Sequence, residues 1–199
     1  MIALAGQDRF SIVTIIGGGT GADTPAPAWE TMFGWPASGV HTLPLDVTSL
    51  GDRNIWAARL DEIVRGADRA VLLVADGLGC AASAWWARLS PADYVARIAG
   101  AVLFTPEADA ENRDRAGLFD SPQTRLPFPS LVIQPGGSAT GAMRDTVADW
   151  GSRLVVSDRE RQRDTGLVAW RQAQRLFLRL TNQVVEHEVG RAEALAGRR

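Results

Sequence analysis

Short apolar runs recur along the chain, and segments with apolar positions at helical spacing lie between them. FSIVTII (10–16) is rich in β-branched residues and ends at a glycine cluster. VHTLPLD (40–46), AVLLVAD (70–76), IAGAVLFTP (98–106), PSLVIQP (129–135) and SRLVVSD (152–158) are the further strand candidates. NIWAARLDEIV (54–64), CAASAWWARL (80–89) and AMRDTVADWG (142–151) have the period of helices, the last stopped by Gly151. A long helix is expected from about Leu167 into the 180s. Uninterrupted apolar strands alternating with helices indicate a parallel sheet covered on both faces. The predicted fold class is α/β: a doubly wound, mainly parallel sheet of five to six strands, without a large cap domain.

In such sheets the ligand site lies at the carboxyl ends of the strands. Loops 17–28, 76–80, 106–127, 134–141 and 158–166 therefore carry the candidate chemistry. A length of 199 residues suits one domain, expected over 1–199, with 181–199 as a C-terminal helical extension.

Composition removes several functions. The net charge of −2 gives no reason to expect nucleic acid or an anionic membrane. No apolar run approaches the ~20 residues of a membrane span. The opening MIALAGQDRF lacks a basic region followed by an apolar core, so it does not read as a signal peptide. All 21 basic residues are arginine, so no lysine serves as Schiff base or general base. The single cysteine, Cys80, excludes an intrachain disulfide and a cysteine-cluster metal site. These features predict a cytoplasmic protein without metal or cofactor.

LLVADGLGC (72–80) has the outline of a strand, a tight turn and a helix. A nucleophile elbow has this form, with small residues two before and two after the nucleophile. Ala75 and Gly79 meet that need around Gly77, which has no side chain. Glycine adopts the strained conformation of an elbow apex readily. Gly77 would keep the turn and abolish the nucleophile. The plain alternative is an ordinary strand–glycine–helix turn. Making Asp76 the apex instead would put Leu78 where a small residue belongs.

GGGTGA (17–22) fits the dinucleotide fingerprint G-x-G-x-x-G/A through Gly17, Gly19 and Ala22. Pro27 would break a helix starting there, and Asp46 lies a little far for a ribose-binding acid. The alternative is a glycine-rich turn lining a pocket. Neither histidine suits a base facing residue 77. His41 lies at the sheet edge away from the site, and His187 lies deep in the C-terminal helix. The seven tryptophans read as core and pocket lining. ENRDRAGLFD (111–120) and SDRERQRD (157–164) read as solvated charged loops, with an arginine pocket for an anionic ligand as the alternative.

From about residue 10 to 180 the chain resembles the small serine hydrolases related to retinoblastoma-binding protein nine and bacterial YdeN. The resemblance is carried by IIGGGTG, AWETMFGW (28–35), NIWAARLDEIV, LLVADGLGC, IAGAVLFTPEAD, RLPFPSLVIQP (125–135) and ADWGSRLVV (148–156). It implies an α/β-hydrolase fold and serine hydrolysis, and the departures fall on the catalytic positions. The family serine is Gly77, and the residue before it, usually histidine, is Asp76. The acid position reads GGSA, with Ser138 nearest, and the histidine position is occupied by Glu160 to Gln162. Ala28 replaces the histidine before Trp29.

The resemblance thus implies a scaffold without an intact catalytic residue, kept as a binding module for a small ligand or a protein partner; a homo-oligomer is compatible with it. Its vestigial pocket would be Gly18, Gly19, Asp76, Gly77 and Leu78. A hydrolase with a relocated site is the alternative, with Ser138, Ser83, Cys80, Asp76 and Glu160 as candidates. Nucleotide binding through Gly17 to Ala22 is a third reading.

Overall fold

The computed structural model describes residues 10–17, 40–104, 115, 117–120, 124–135 and 139–157. All lie in the first of two compact units, Met1–Arg159. The second, Glu160–Arg199, lies outside the described residues. With it go the helix expected from Leu167, the extension at 181–199 and His187.

Among the described residues six strands form one sheet: β1 (Phe10–Ile16), β2 (Val40–Pro44), β3 (Ala70–Asp76), β4 (Ile98–Phe104), β5 (Ser130–Pro135) and β6 (Arg153–Ser157). Their order is β2-β1-β3-β4-β5-β6, and every pairing is parallel. The chain builds outward from β1 toward β2 on one side, then reverses toward β3 on the other. That reversal is the topological switch of a doubly wound fold. The carboxyl ends are in register: Ile16 pairs with Pro44 and Asp76, and Asp76 pairs with Phe104.

The central strands are largely apolar because both of their faces are buried, with Ser11 and Thr14 of β1 and Ser130 and Gln134 of β5 as buried polar exceptions. Val13, Ile15, Val71, Leu73, Ala75, Ala101, Leu103 and Val132 join the main core with Trp56, Leu60 and Val64. The alternate residues Leu72, Val74, Val102, Phe104, Leu131 and Ile133 are equally buried. This is why β3 reads as a run without polar interruption.

Four helices of the described residues stand between the strands: α1 (Leu50–Gly66), α2 (Leu78–Leu89), α3 (Ala92–Val95) and α4 (Gly141–Asp149). Helix α1 begins four residues before the expected start at Asn54. Ser49 caps it, its Oγ accepting from the Asp52 N–H at 3.1 Å. Asp52 reaches back to Thr48 N–H and to the hydroxyls of Thr48 and Ser49, close to a capping box. Helix α4 ends as expected, with Gly151 at φ +63 just beyond its C-cap.

The segments LPFPS and WGSRL meet in space. Leu126 N–H donates to the Trp150 carbonyl at 3.0 Å, and the hydroxyls of Ser130 and Ser152 lie 2.5 Å apart. A Cβ on Gly151 would come within 2.9 Å of Arg125 Cγ. These residues fix the entry to β5 against the entry to β6.

Part of ENRDRAGLFD is not solvated. Phe119 is buried in the one-turn 3-10 helix Gly117–Phe119, between Trp56 and Trp85 at 6.0 Å from each ring. Half-buried Arg115 donates to the carbonyls of Leu45 and Val47. Charged letters around Phe119 concealed a core anchor.

Candidate functional site

The site is built where β3 turns into α2. Gly77 stands between them at φ 61, ψ −132, a conformation that side-chain-bearing residues adopt only under strain. Its N–H donates to the Phe104 carbonyl at 3.0 Å, and its carbonyl accepts from Cys80 N–H at 3.0 Å. It is the N-cap of α2 and offers no side-chain cap to the helix. The strand, strained apex and helix of an elbow are all present, and the apex carries only hydrogen.

Two further glycines allow the close approach of β1 to this turn. A Cβ on Gly79 would lie 2.7 Å from the Ile15 carbonyl oxygen. One on Gly17 would lie 2.7 Å from Asp76 O, Leu78 N and Gly79 N. These are backbone atoms and cannot rotate away. Close packing on the turn therefore accounts for Gly17 without a nucleotide. Gly18 and Gly19, with the rest of 18–22, lie outside the described residues.

The relocated nucleophiles fare differently. Cys80 is buried, and its Sγ lies 3.2 Å from the Phe104 carbonyl and 3.5 Å from that of Ala75. Burial pushes its thiol well above the ordinary range, and the nearby Asp76 charge adds to this. A buried thiol held protonated is a poor nucleophile. Ser83 is 1% exposed and donates its Oγ–H to the Gly79 carbonyl at 2.7 Å, one turn back on the same helix. Neither is a nucleophile facing the turn.

Asp76 is half-buried at the carboxyl end of β3, beside Gly77. Desolvation raises its pKa, and the hydrogen bond from Gly77 N–H offsets part of that rise. Of the residues expected to line a vestigial pocket, Asp76, Gly77 and Leu78 lie at the β3–α2 turn. Ser138 and Glu160 to Gln162 lie outside the described residues, as does Ala28. His41 is exposed within β2, near the amino end of the strand and away from the turn. Asp46 is exposed after β2. Among the described residues no group of three histidine, cysteine or acidic side chains is placed to hold a metal. No described helix is long and apolar enough to cross a membrane.

The sequence pattern did not single out Arg53. Arg53 places its guanidinium 4.4 Å from the Trp85 ring centre and donates Nη1–H to the Leu118 carbonyl at 2.8 Å. Its position one turn before Trp56 was the available signal, since residues three apart share a helix face.

A family model of serine hydrolases matches residues 29–179, and the chain belongs to that family. No curated protein matches it. Among solved structures, a protein described as a YdeN-like hydrolase from Pectobacterium atrosepticum is similar at 14% identity and a TM-score of 0.57. That match covers 89% of this chain and 94% of the other. A protein described as a carboxylesterase from Lactobacillus plantarum is similar at 17% identity and a TM-score of 0.51, over 87% and 86% of the two chains. At these identities the likeness establishes the α/β-hydrolase-like fold.

Proposed function

We propose that this serine hydrolase family member is catalytically degenerate and serves as a binding module for a small ligand or a protein partner. The observation that carries this reading is Gly77: the apex of the turn keeps the strained backbone of an elbow at φ 61 and presents no nucleophile. Cys80 and Ser83, the nearest nucleophilic side chains of α2, are buried and committed to backbone carbonyls. By the family resemblance, the acid and histidine positions fall at Ser138 and at Glu160 to Gln162, which supply no histidine.

The residual chemistry is small. Loss of one triad member costs on the order of 10⁶ in rate, and further losses add little. An oxyanion site made from backbone N–H groups alone retains only ~10³–10⁴ over water. In this reading the protein works in the cytoplasm, without nucleic-acid or membrane partners.

A second reading, a hydrolase with a relocated site, is favoured by one observation. Asp76 is a partly desolvated carboxyl directly beside the turn, and titratable groups of that kind concentrate at functional sites. Turnover of short-chain p-nitrophenyl esters separates the two. The degenerate scaffold gives no saturable hydrolysis above the uncatalysed rate. Saturable hydrolysis that disappears in Asp76→Asn would replace the first reading with the second.

A further inference from the structure

Helix α1 carries two buried donors with no acceptor among the described residues. Trp56 is 3% exposed, and its indole Nε1–H has no partner there. Arg53, one turn earlier, buries its Nε–H in the same way. Buried polar hydrogens in folded proteins are almost always satisfied, so two neighbouring exceptions call for an acceptor.

The surroundings narrow its chemistry. The Arg53 guanidinium lies over Trp85, and Phe119 stands edge-on to both Trp56 and Trp85. Arg115, shortly before Leu118 and Phe119 in the chain, gives its guanidinium to the carbonyls of Leu45 and Val47. Two of the acidic side chains on α1 are bonded elsewhere: Asp52 to Thr48 and Ser49, Asp61 to the Trp86 indole at 2.8 Å. Among the described residues neither Arg53 nor Arg115 has an ion pair.

We propose that Arg53, Trp56, Trp85 and Phe119 form a binding site for a small apolar carboxylate. Its oxygens accept from Arg53 Nε–H and Trp56 Nε1–H, and its apolar part lies against the rings of Trp85 and Phe119. A carboxylate matches the fork of a guanidinium and answers its charge. A water molecule would answer the two hydrogens and leave the charge. The proposal does not depend on whether the family nucleophile is lost.

The test follows the indole N–H of Trp56 by NMR in the ¹⁵N-labelled full chain, assigned by its disappearance in Trp56→Phe. Benzoate is titrated against chloride at equal ionic strength, and inorganic phosphate forms a second series. The expected result is a saturable shift of the Trp56 signal with benzoate only. Trp150, the other buried indole without an acceptor among the described residues, stays unmoved. Arg53→Met weakens benzoate binding by about 10-fold or more, as loss of a charge-assisted pair requires. A Trp56 signal unmoved by benzoate in the folded chain overturns the site. An equal response to phosphate overturns the carboxylate class, and unchanged affinity in Arg53→Met overturns the role of the guanidinium.

Discussion

Replacing Gly77 with serine puts a side chain back at the apex of the turn, and its cost follows from the backbone. At φ 61, ψ −132 a residue with a Cβ is strained by ~1–3 kcal/mol. Losing glycine's freedom in the unfolded chain returns ~0.4–1 kcal/mol. The net destabilisation is then about 1–2 kcal/mol, which lowers Tm by about 2–8 °C for a chain of this size. Gly66 provides the control. It ends α1, and a Cβ there meets nothing within 4 Å, so Gly66→Ala stabilises by up to ~1 kcal/mol. Calorimetric melts of both variants beside the parent give the comparison. A Gly77→Ser protein as stable as the parent would show that the turn does not hold the strained conformation, and the case for an elbow would fail.

Gly79→Ala forces a Cβ to within 2.7 Å of the Ile15 carbonyl and is expected to cost ~1–3 kcal/mol, read as a fall in the chemical-denaturation midpoint without a change of slope. Cys80 is expected to react with a disulfide reagent at pH 8 at least about 100-fold more slowly in the native protein than in denaturant, because reaction waits on opening of the buried site. Asp76 has a pKa raised by desolvation, so the folded state holds its proton more tightly than the unfolded state. Its contribution is favourable below the ordinary carboxyl pKa and is lost as pH rises through the folded value. Asp76→Asn therefore raises Tm more at pH 7 than at pH 4, and an equal change at both would contradict the assignment.

The sheet was legible because burial on both faces leaves a plain mark. AVLLVAD became β3 residue for residue, and FSIVTII became β1. Helix starts were less legible from apolar periodicity alone. α1 begins at Leu50 because Ser49 and Asp52 cap it, a signal carried by polar residues. The turn at Gly77 was readable because small residues at 75 and 79 answer a packing need that the approach of Gly79 to Ile15 makes explicit. The Arg53–Trp56–Phe119 cluster was not readable. It joins α1 to a segment more than 60 residues away, and local charge pattern hides a contact of that range. The short helix α3 after Pro91 also escaped, since a single turn has no period to detect.

Intact-mass analysis of the purified chain after treatment with a broadly reactive fluorophosphonate bears most directly on the central claim. It reads this polypeptide rather than a contaminating esterase. The degenerate-scaffold account predicts an unchanged mass. A stoichiometric adduct would contradict it, and the labelled residue would identify the nucleophile that Gly77 does not supply.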